Sequence, residues 1–178
     1  MKRLLLPISF LYSIVLFLRH KLYDWNILKS KSFDIPNICV GNLNFGGTGK
    51  TPHIEYITDF LSEKYKLAIL SRGYGRNTKG FILADENHTH HDIGDEPLQY
   101  FKKFKDVKVA VDENRCEGME RLLQEENPPQ VVLLDDAYQH RKIKPGLNIL
   151  LTDYYNLYSN SHLVPAGNLR DIKKAAQR

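Results

Sequence analysis

Apolar residues fall along this chain in three patterns. Residues 4–18 form one uncharged apolar run, LLLPISFLYSIVLFL, with Lys2-Arg3 before it and Arg19-His20-Lys21 after it. Further on, short runs at 37–41, 67–70, 81–84, 107–111, 131–134 and 147–151 are mostly without polar alternation, as in strands covered on both faces. Between them the spacing becomes helical. Residues 52–64 place Ile54, Ile57, Phe60 and Leu61 on one side, and 95–105 place Leu98, Phe101 and Phe104 inward. Residues 113–126 form a charged amphipathic helix stopped by Pro128-Pro129, and 85–94 read as a polar loop. Strands alternating with helices predict an α/β fold with a mostly parallel sheet.

The first run leaves three readings open. Fifteen helical residues span about 22 Å, short of the roughly 30 Å hydrocarbon core of a bilayer. A signal peptide suits the basic start, but Arg19-His20-Lys21 stands where a small-residue cleavage site belongs. A buried core helix is the second reading. A helix lying in a membrane face is the third, and Tyr12, Tyr23 and Trp25 suit an interface.

Charge sharpens this division. Residues 1–31 hold Lys2, Arg3, Arg19, Lys21, Lys29 and Lys31 against Asp24 alone, whereas the whole chain carries only +4. The basic excess is therefore local, and a nucleic-acid partner is not expected. A chain of 178 residues has room for one domain with a substantial core. Two cysteines, Cys39 and Cys116, give no disulfide framework, which fits a reducing compartment.

Candidate chemistry gathers after the strands. Asn44-Phe45-Gly46-Gly47-Thr48-Gly49-Lys50-Thr51-Pro52 lies between an apolar strand and a helix, as a phosphate-binding loop does. Its glycines let backbone N–H groups turn toward phosphate oxygens, and the helix N-terminus adds partial positive charge. Lys50 would reach the β- and γ-phosphates, and the Thr51 hydroxyl would ligate Mg²⁺. Asn44 stands where the full pattern has glycine, and asparagine tolerates left-handed backbone better than most residues. Asp135-Asp136 closes the 131–134 strand, where such proteins hold Mg²⁺; a strand-end turn is the plainer alternative. Ser71-Arg72-Gly73-Tyr74-Gly75-Arg76 offers two guanidinium groups to an anion, or is a solvated basic turn. Asp95 and Glu96 are either a base for a substrate hydroxyl or acids favouring a helix start. His88, His90 and His91 read as an exposed loop more than as metal ligands.

Taken in order, these motifs resemble the tetraacyldisaccharide 4′-kinases of lipid A biosynthesis. The carrying residues are Val40-Gly41-Asn42 leading into Gly46-Gly47-Thr48-Gly49-Lys50-Thr51-Pro52, then Ser71 to Arg76, Gly94-Asp95-Glu96-Pro97, Asp135-Asp136-Ala137-Tyr138-Gln139-His140-Arg141 and Pro165-Ala166-Gly167-Asn168-Leu169-Arg170. The resemblance implies a P-loop, three-layer α/β sandwich with a membrane-associated N-terminal helix (1–31) and a kinase core (32–178). It implies ATP and Mg²⁺ as cofactors, an acylated disaccharide lipid phosphorylated on its 4′-hydroxyl, and work at the cytoplasmic face of a bacterial inner membrane. Asn44, Gly46, Gly47, Thr48, Gly49, Lys50 and Thr51 would bind the nucleotide. Thr51, Asp135 and Asp136 would hold the metal, and Asp95 would be the base, with Lys50 and Gln139 beside it. Arg72, Arg76, His140 and Arg170 would meet substrate. Where the family has Glu after that last arginine, this chain has Asp171; where it often has Gly-Phe, this chain has Ala137-Tyr138. Family members are close to twice as long, with a second α/β domain closing over the nucleotide, so the chain reads as the N-terminal domain of such an enzyme. Two alternatives fit less well. A membrane-bound regulatory ATPase would carry lysine where Phe45 stands, and a GTP switch would carry an Asn-Lys-x-Asp run that is missing here.

Overall fold

The computed structural model describes residues 2–178. Six strands form one sheet: β1 (Asn37–Asn42), β2 (Leu67–Ser71), β3 (Ile82–Leu83), β4 (Lys108–Val111), β5 (Val131–Asp135) and β6 (Leu147–Leu151), in the order β3-β4-β2-β5-β1-β6. All neighbours are parallel except the short β3, which runs antiparallel to β4 at the edge. The central strands are buried along their length because successive side chains feed two separate cores. Cys39, Ala68, Leu70, Ala110, Val132 and Leu134 point into one core, which includes Met119 and Leu122 of helix α5 (Arg115–Leu123). Val40, Leu67, Ile69, Val109, Val131 and Leu133 point into the other, which takes Ile54 of helix α2 (Lys50–Ser62) and Tyr100 of helix α4 (Asp95–Lys103). The result is the three-layer arrangement, helices on both faces of a mostly parallel sheet.

Helix faces differ in detail from the predicted ones. On α2 the buried positions are Ile54 and Thr58, while Phe60 is exposed; Thr58 can enter the core because its hydroxyl donates to the Ile54 carbonyl at 2.7 Å. On α4 Tyr100 is buried, and Leu98 and Phe101 only partly so. The polar stretch 85–94 contains a one-turn helix, α3 (His90–Ile93), closed by a reciprocal Thr89–Asp92 capping box.

Helix α1 (Leu6–Asp24) continues the apolar run through six more residues, with Pro7 in its first turn. Its orientation is the reverse of a soluble amphipathic helix. The inward stripe is Ser9, Leu16, His20 and Tyr23, while Phe10, Leu11, Ile14, Val15, Phe17 and Leu18 face outward. It is therefore not the buried core helix. Among the described residues no helix is long and apolar enough to cross a membrane. The Ser9 hydroxyl donates to the Leu163 carbonyl at 2.9 Å and accepts the Ala166 N–H at 3.0 Å. The His20 Nε2 and the Asp171 carboxylate meet at 2.6 Å in the interior. These polar pairs fasten α1 to the segment around 163–171.

Candidate active site

The strand C-termini of β2, β5 and β1 lie side by side, and the loops leaving them build one site, the position at which open α/β sheets bind ligands. The loop after β1 leads into α2 through Gly49, whose φ of 80° lies in the left-handed region. Lys50 is the first helical residue, so the loop delivers its backbone directly to a helix N-terminus. Side chains added at Gly46 or Gly47 would meet nothing within 4 Å, so these two exposed positions border open space. Asn42, at the end of β1, fixes the loop from inside by donating to Thr48 Oγ1 at 2.8 Å. Asn44 does not use left-handed backbone. It makes an antiparallel bridge with Leu169, and its side chain donates to the Asn156 carbonyl at 2.9 Å.

Opposite the loop stands the carboxylate pair at the end of β5. Asp136 takes a left-handed φ of 50°, uncommon without glycine, and strain of this kind is tolerated where surroundings over-determine it. Arg170 supplies that determination. Its guanidinium donates to both Asp136 oxygens, one at 2.9 Å, and also to the Asn42 carbonyl and side-chain oxygens. The Lys50 ammonium lies 3.8 Å from Asp136 Oδ1. Burial pushes the Asp136 carboxyl up, but Arg170 and Lys50 outweigh it and hold it below the usual carboxylate range. Asp135 goes the other way. Burial, then repulsion from Asp136, pushes it up to about 6, and Ser71 Oγ (3.3 Å) and the Tyr100 hydroxyl (3.5 Å) face the same oxygen. That hydroxyl brings α4 against the end of β5.

Gln139 donates to the Asn42 carbonyl at 2.8 Å and thus belongs to the same network. Asp95 is the first residue of α4 and is exposed. Gly94 before it, at φ 93°, lies against the backbone of Gly73 and Tyr74, so closely that an added Cβ would stand 2.9 Å from the Tyr74 oxygen. This contact welds the Arg72–Arg76 loop to the start of the Asp95 helix. The two arginines of that loop part company. Arg72 is exposed. Arg76 is buried instead, tied to the Gly80 carbonyl at 2.8 Å and to Glu113, so it shapes the loop and does not present itself to a ligand.

His140 sits half-buried among Arg115, Lys142, Arg19 and Arg72. Burial first, then these cations, push its imidazole down to about 4, and its Nε2 has no protein partner. It is a neutral acceptor or donor beside a positive field. Arg115 is the site residue that sequence reading missed. It looked like one charge on a solvated helix, but it is 3% exposed behind Asp135 and Asp136. Asn42 and Tyr100 were also missed as site members. The polar residue ending an apolar strand was a usable signal for Asn42. Among the described residues no three His, Cys, Asp or Glu side chains converge as a ready metal cage. A Mg²⁺ carried on phosphates needs only one or two carboxylates, which Asp135 and Asp136 could supply beside the Thr51 hydroxyl, and a cation would relieve the repulsion between the two acids.

Comparison with known proteins gives a consistent result. The family model for tetraacyldisaccharide-1-P 4′-kinase matches residues 1–178. The tetraacyldisaccharide 4′-kinase of Flavobacterium johnsoniae is 53% identical over 178 residues, covering 100% of this chain and 52% of that protein. That of Bacteroides thetaiotaomicron is 55% identical over 175 residues, covering 98% and 46%. The crystal structure of LpxK from Aquifex aeolicus in complex with ATP is 40% identical, with a TM-score of 0.91 over 99% of this chain and 56% of that one. The chain thus spans about half the length of the curated relatives it matches.

Proposed function

The chain belongs to the tetraacyldisaccharide-1-P 4′-kinase family, and from that premise we propose that it carries the nucleotide-binding site of an ATP- and Mg²⁺-dependent kinase acting on the 4′-hydroxyl of an acylated disaccharide lipid. The observation that carries the reading is the joining of Lys50, Asp136, Arg170 and Asn42 into one bonded group beside Asp135 at the mouth of the loop. ATP with Mg²⁺ supplies an electrophilic phosphoryl group whose negative charge the cation shares. The chain's residues do the rest. The loop N–H groups and Lys50 take phosphate charge. Thr51, Asp135 and Asp136 would hold the cation, and Arg170, itself held by Asn42, keeps the Asp136 carboxylate aimed. Asp95 accepts the proton of the attacking hydroxyl. Arg72 and His140 meet the sugar-phosphate side of the acceptor. Arg170 serves by orienting Asp136, and Arg76 by holding its loop.

Association with a bacterial inner-membrane surface at its cytoplasmic face belongs to the same proposal. The support is the outward apolar face of α1, with Phe10 68%, Leu11 64% and Val15 57% exposed, followed by basic residues and Trp25. Calorimetric titration with ATP–Mg²⁺ and with GTP–Mg²⁺ tests the nucleotide half. ATP binding that Lys50→Ala abolishes is expected; preference for GTP, or binding indifferent to Lys50, refutes it.

A further inference from the structure

The outward stripe of α1 ends at a cavity. Phe10, Ile14, Phe17, Lys21 and Asp24 follow one another at helical spacing, and the last three line a cavity of about 170 Å³ closed on the other side by Lys174, Arg141 and Arg178. Its floor is apolar and its rim is cationic. The two arginines are pre-set. Arg141 donates to Asp24 at 3.0 Å and to the His20 carbonyl at 3.0 Å, and stacks over the Tyr23 ring at 4.9 Å. Arg178 donates to Asp171 at 2.9 Å and stacks over Tyr138 at 4.8 Å. His20 stands between them. Its Nε2–H donates to Asp171, which leaves Nδ1 as an acceptor 3.3 Å from Arg141 and 3.4 Å from Arg178. Lys21 and Lys174 complete the rim, and neither enters an ion pair among the described residues. Four cations therefore meet two acids here, Asp24 paired with Arg141 and Asp171 with Arg178, which leaves Lys21 and Lys174 as the unmatched positive charge.

We propose that this cavity binds the phosphate of an anionic phospholipid headgroup and so sets the depth and tilt of the protein on the bilayer. The proposal rests on the membrane-surface reading of α1. Position argues for a lipid source. The cavity opens where the apolar stripe stops, and Trp25 and Ile27, 64% and 63% exposed, lie just beyond, at the level where aromatic side chains meet headgroups. Guanidinium forks and ammonium groups are the donors that take a phosphate. The reacting centre does not use this cavity: Arg170 faces Asp136, whereas the next residue, Asp171, faces away toward His20.

Vesicle co-sedimentation separates the two readings. Partition of the wild-type protein onto phosphatidylcholine vesicles reports the apolar face of α1, and its absence overturns the membrane reading. The gain on adding phosphatidylglycerol reports the cavity. A lysine near an anionic surface is worth about fivefold in affinity, so Lys21→Ser with Lys174→Ser is expected to lower partition onto the phosphatidylglycerol vesicles about thirtyfold and leave phosphatidylcholine binding unchanged. Lys29→Ser with Lys142→Ser, exposed lysines close by but outside the cavity, is expected to have a much smaller effect. Equal losses from the two pairs mean a diffuse basic surface and overturn the site. An equal loss on both kinds of vesicle means a displaced helix and overturns it too. Calorimetric binding of inorganic phosphate, without vesicles and with the same lysine dependence, would identify a free-anion site instead.

Discussion

On the proposed cation-holding role, Asp135 sets stability against function, and Asp135→Asn measures the conflict. Burial and the neighbouring Asp136 raise its carboxyl from the ordinary 3.8 to about 6. Each pKa unit is worth about 1.4 kcal/mol, so keeping Asp135 ionised in the fold costs about 3 kcal/mol. The sign follows from linkage: between pH 4 and 6 the folded protein holds a proton that the unfolded chain has lost, so stability falls as pH rises through this window and the full cost is present above it. Asparagine keeps the shape and an oxygen for the Ser71 and Tyr100 hydroxyls but removes the charge. Urea unfolding of both proteins at pH 7.5 should show the variant more stable by up to about 3 kcal/mol, with the difference shrinking toward zero near pH 4. Mg²⁺-dependent ATP binding at pH 7.5 should weaken at the same time. A variant less stable than wild type at pH 7.5, or a difference that does not change with pH, refutes the assignment of Asp135 as a buried charge kept for a cation.

The remaining predictions concern the other parts of the site and α1. Thr51→Ala should reduce the Mg²⁺ dependence of ATP binding more than binding without metal, which a titration at fixed ATP reads; equal effects would remove Thr51 from the cation site. In a protein spanning the full length of the family, Asp95→Asn should lower turnover about 10²–10⁴-fold with little change in melting, because Asp95 is exposed; near-normal turnover would leave it only a dipole role at the helix start. Phe10→Asp with Leu11→Asp should move the protein from the membrane fraction to the soluble fraction without unfolding it, since both side chains face outward. Deleting α1 would be a poorer test, because it strips the buried Asp171 of His20.

Sequence alone carried the architecture well, for a physical reason. Strands buried on both faces have no polar alternation to confuse, so 37–41, 67–70 and 131–134 fall within a residue of β1, β2 and β5, while the apolar run 147–151 coincides with β6, the partly exposed edge strand of the described sheet. The phosphate loop and the paired acids can be proposed from sequence because their chemistry demands residue types in series, and the structure places them at the ends of neighbouring strands. Helix rotation was less legible. Helical spacing from Leu98, Phe101 and Phe104 does not single out Tyr100, yet its ring is buried and its hydroxyl faces Asp135 at 3.5 Å. Arg115 was passed over because charge in an amphipathic helix reads as solvated, and its burial depends on strands far away in sequence. Arg76 was over-read for the same reason in reverse: its partner Glu113 is 37 residues away.

The inverted helix shows how such a failure becomes informative. An apolar run normally faces inward, and the pattern of residues 4–18 gives no way to tell which side is which. The polar residues settle it. Ser9 and His20 would be costly in a dry interior without partners, and the structure gives each one: the Leu163 carbonyl and Ala166 N–H for Ser9, Asp171 for His20. Once these partners are made, the stripe Ser9, Leu16, His20 and Tyr23 becomes the inner face, and Phe10, Leu11, Ile14 and Val15 are turned out by geometry. The same contacts bind α1 to the residue after Arg170, and Arg170 orients Asp136. On the proposed membrane reading, a force that shifts α1 acts one peptide bond away from the arginine that aims the candidate metal-holding carboxylate. Asp171 suits that structural post, because its short side chain meets His20 at 2.6 Å and receives the Ile172 N–H at 2.8 Å.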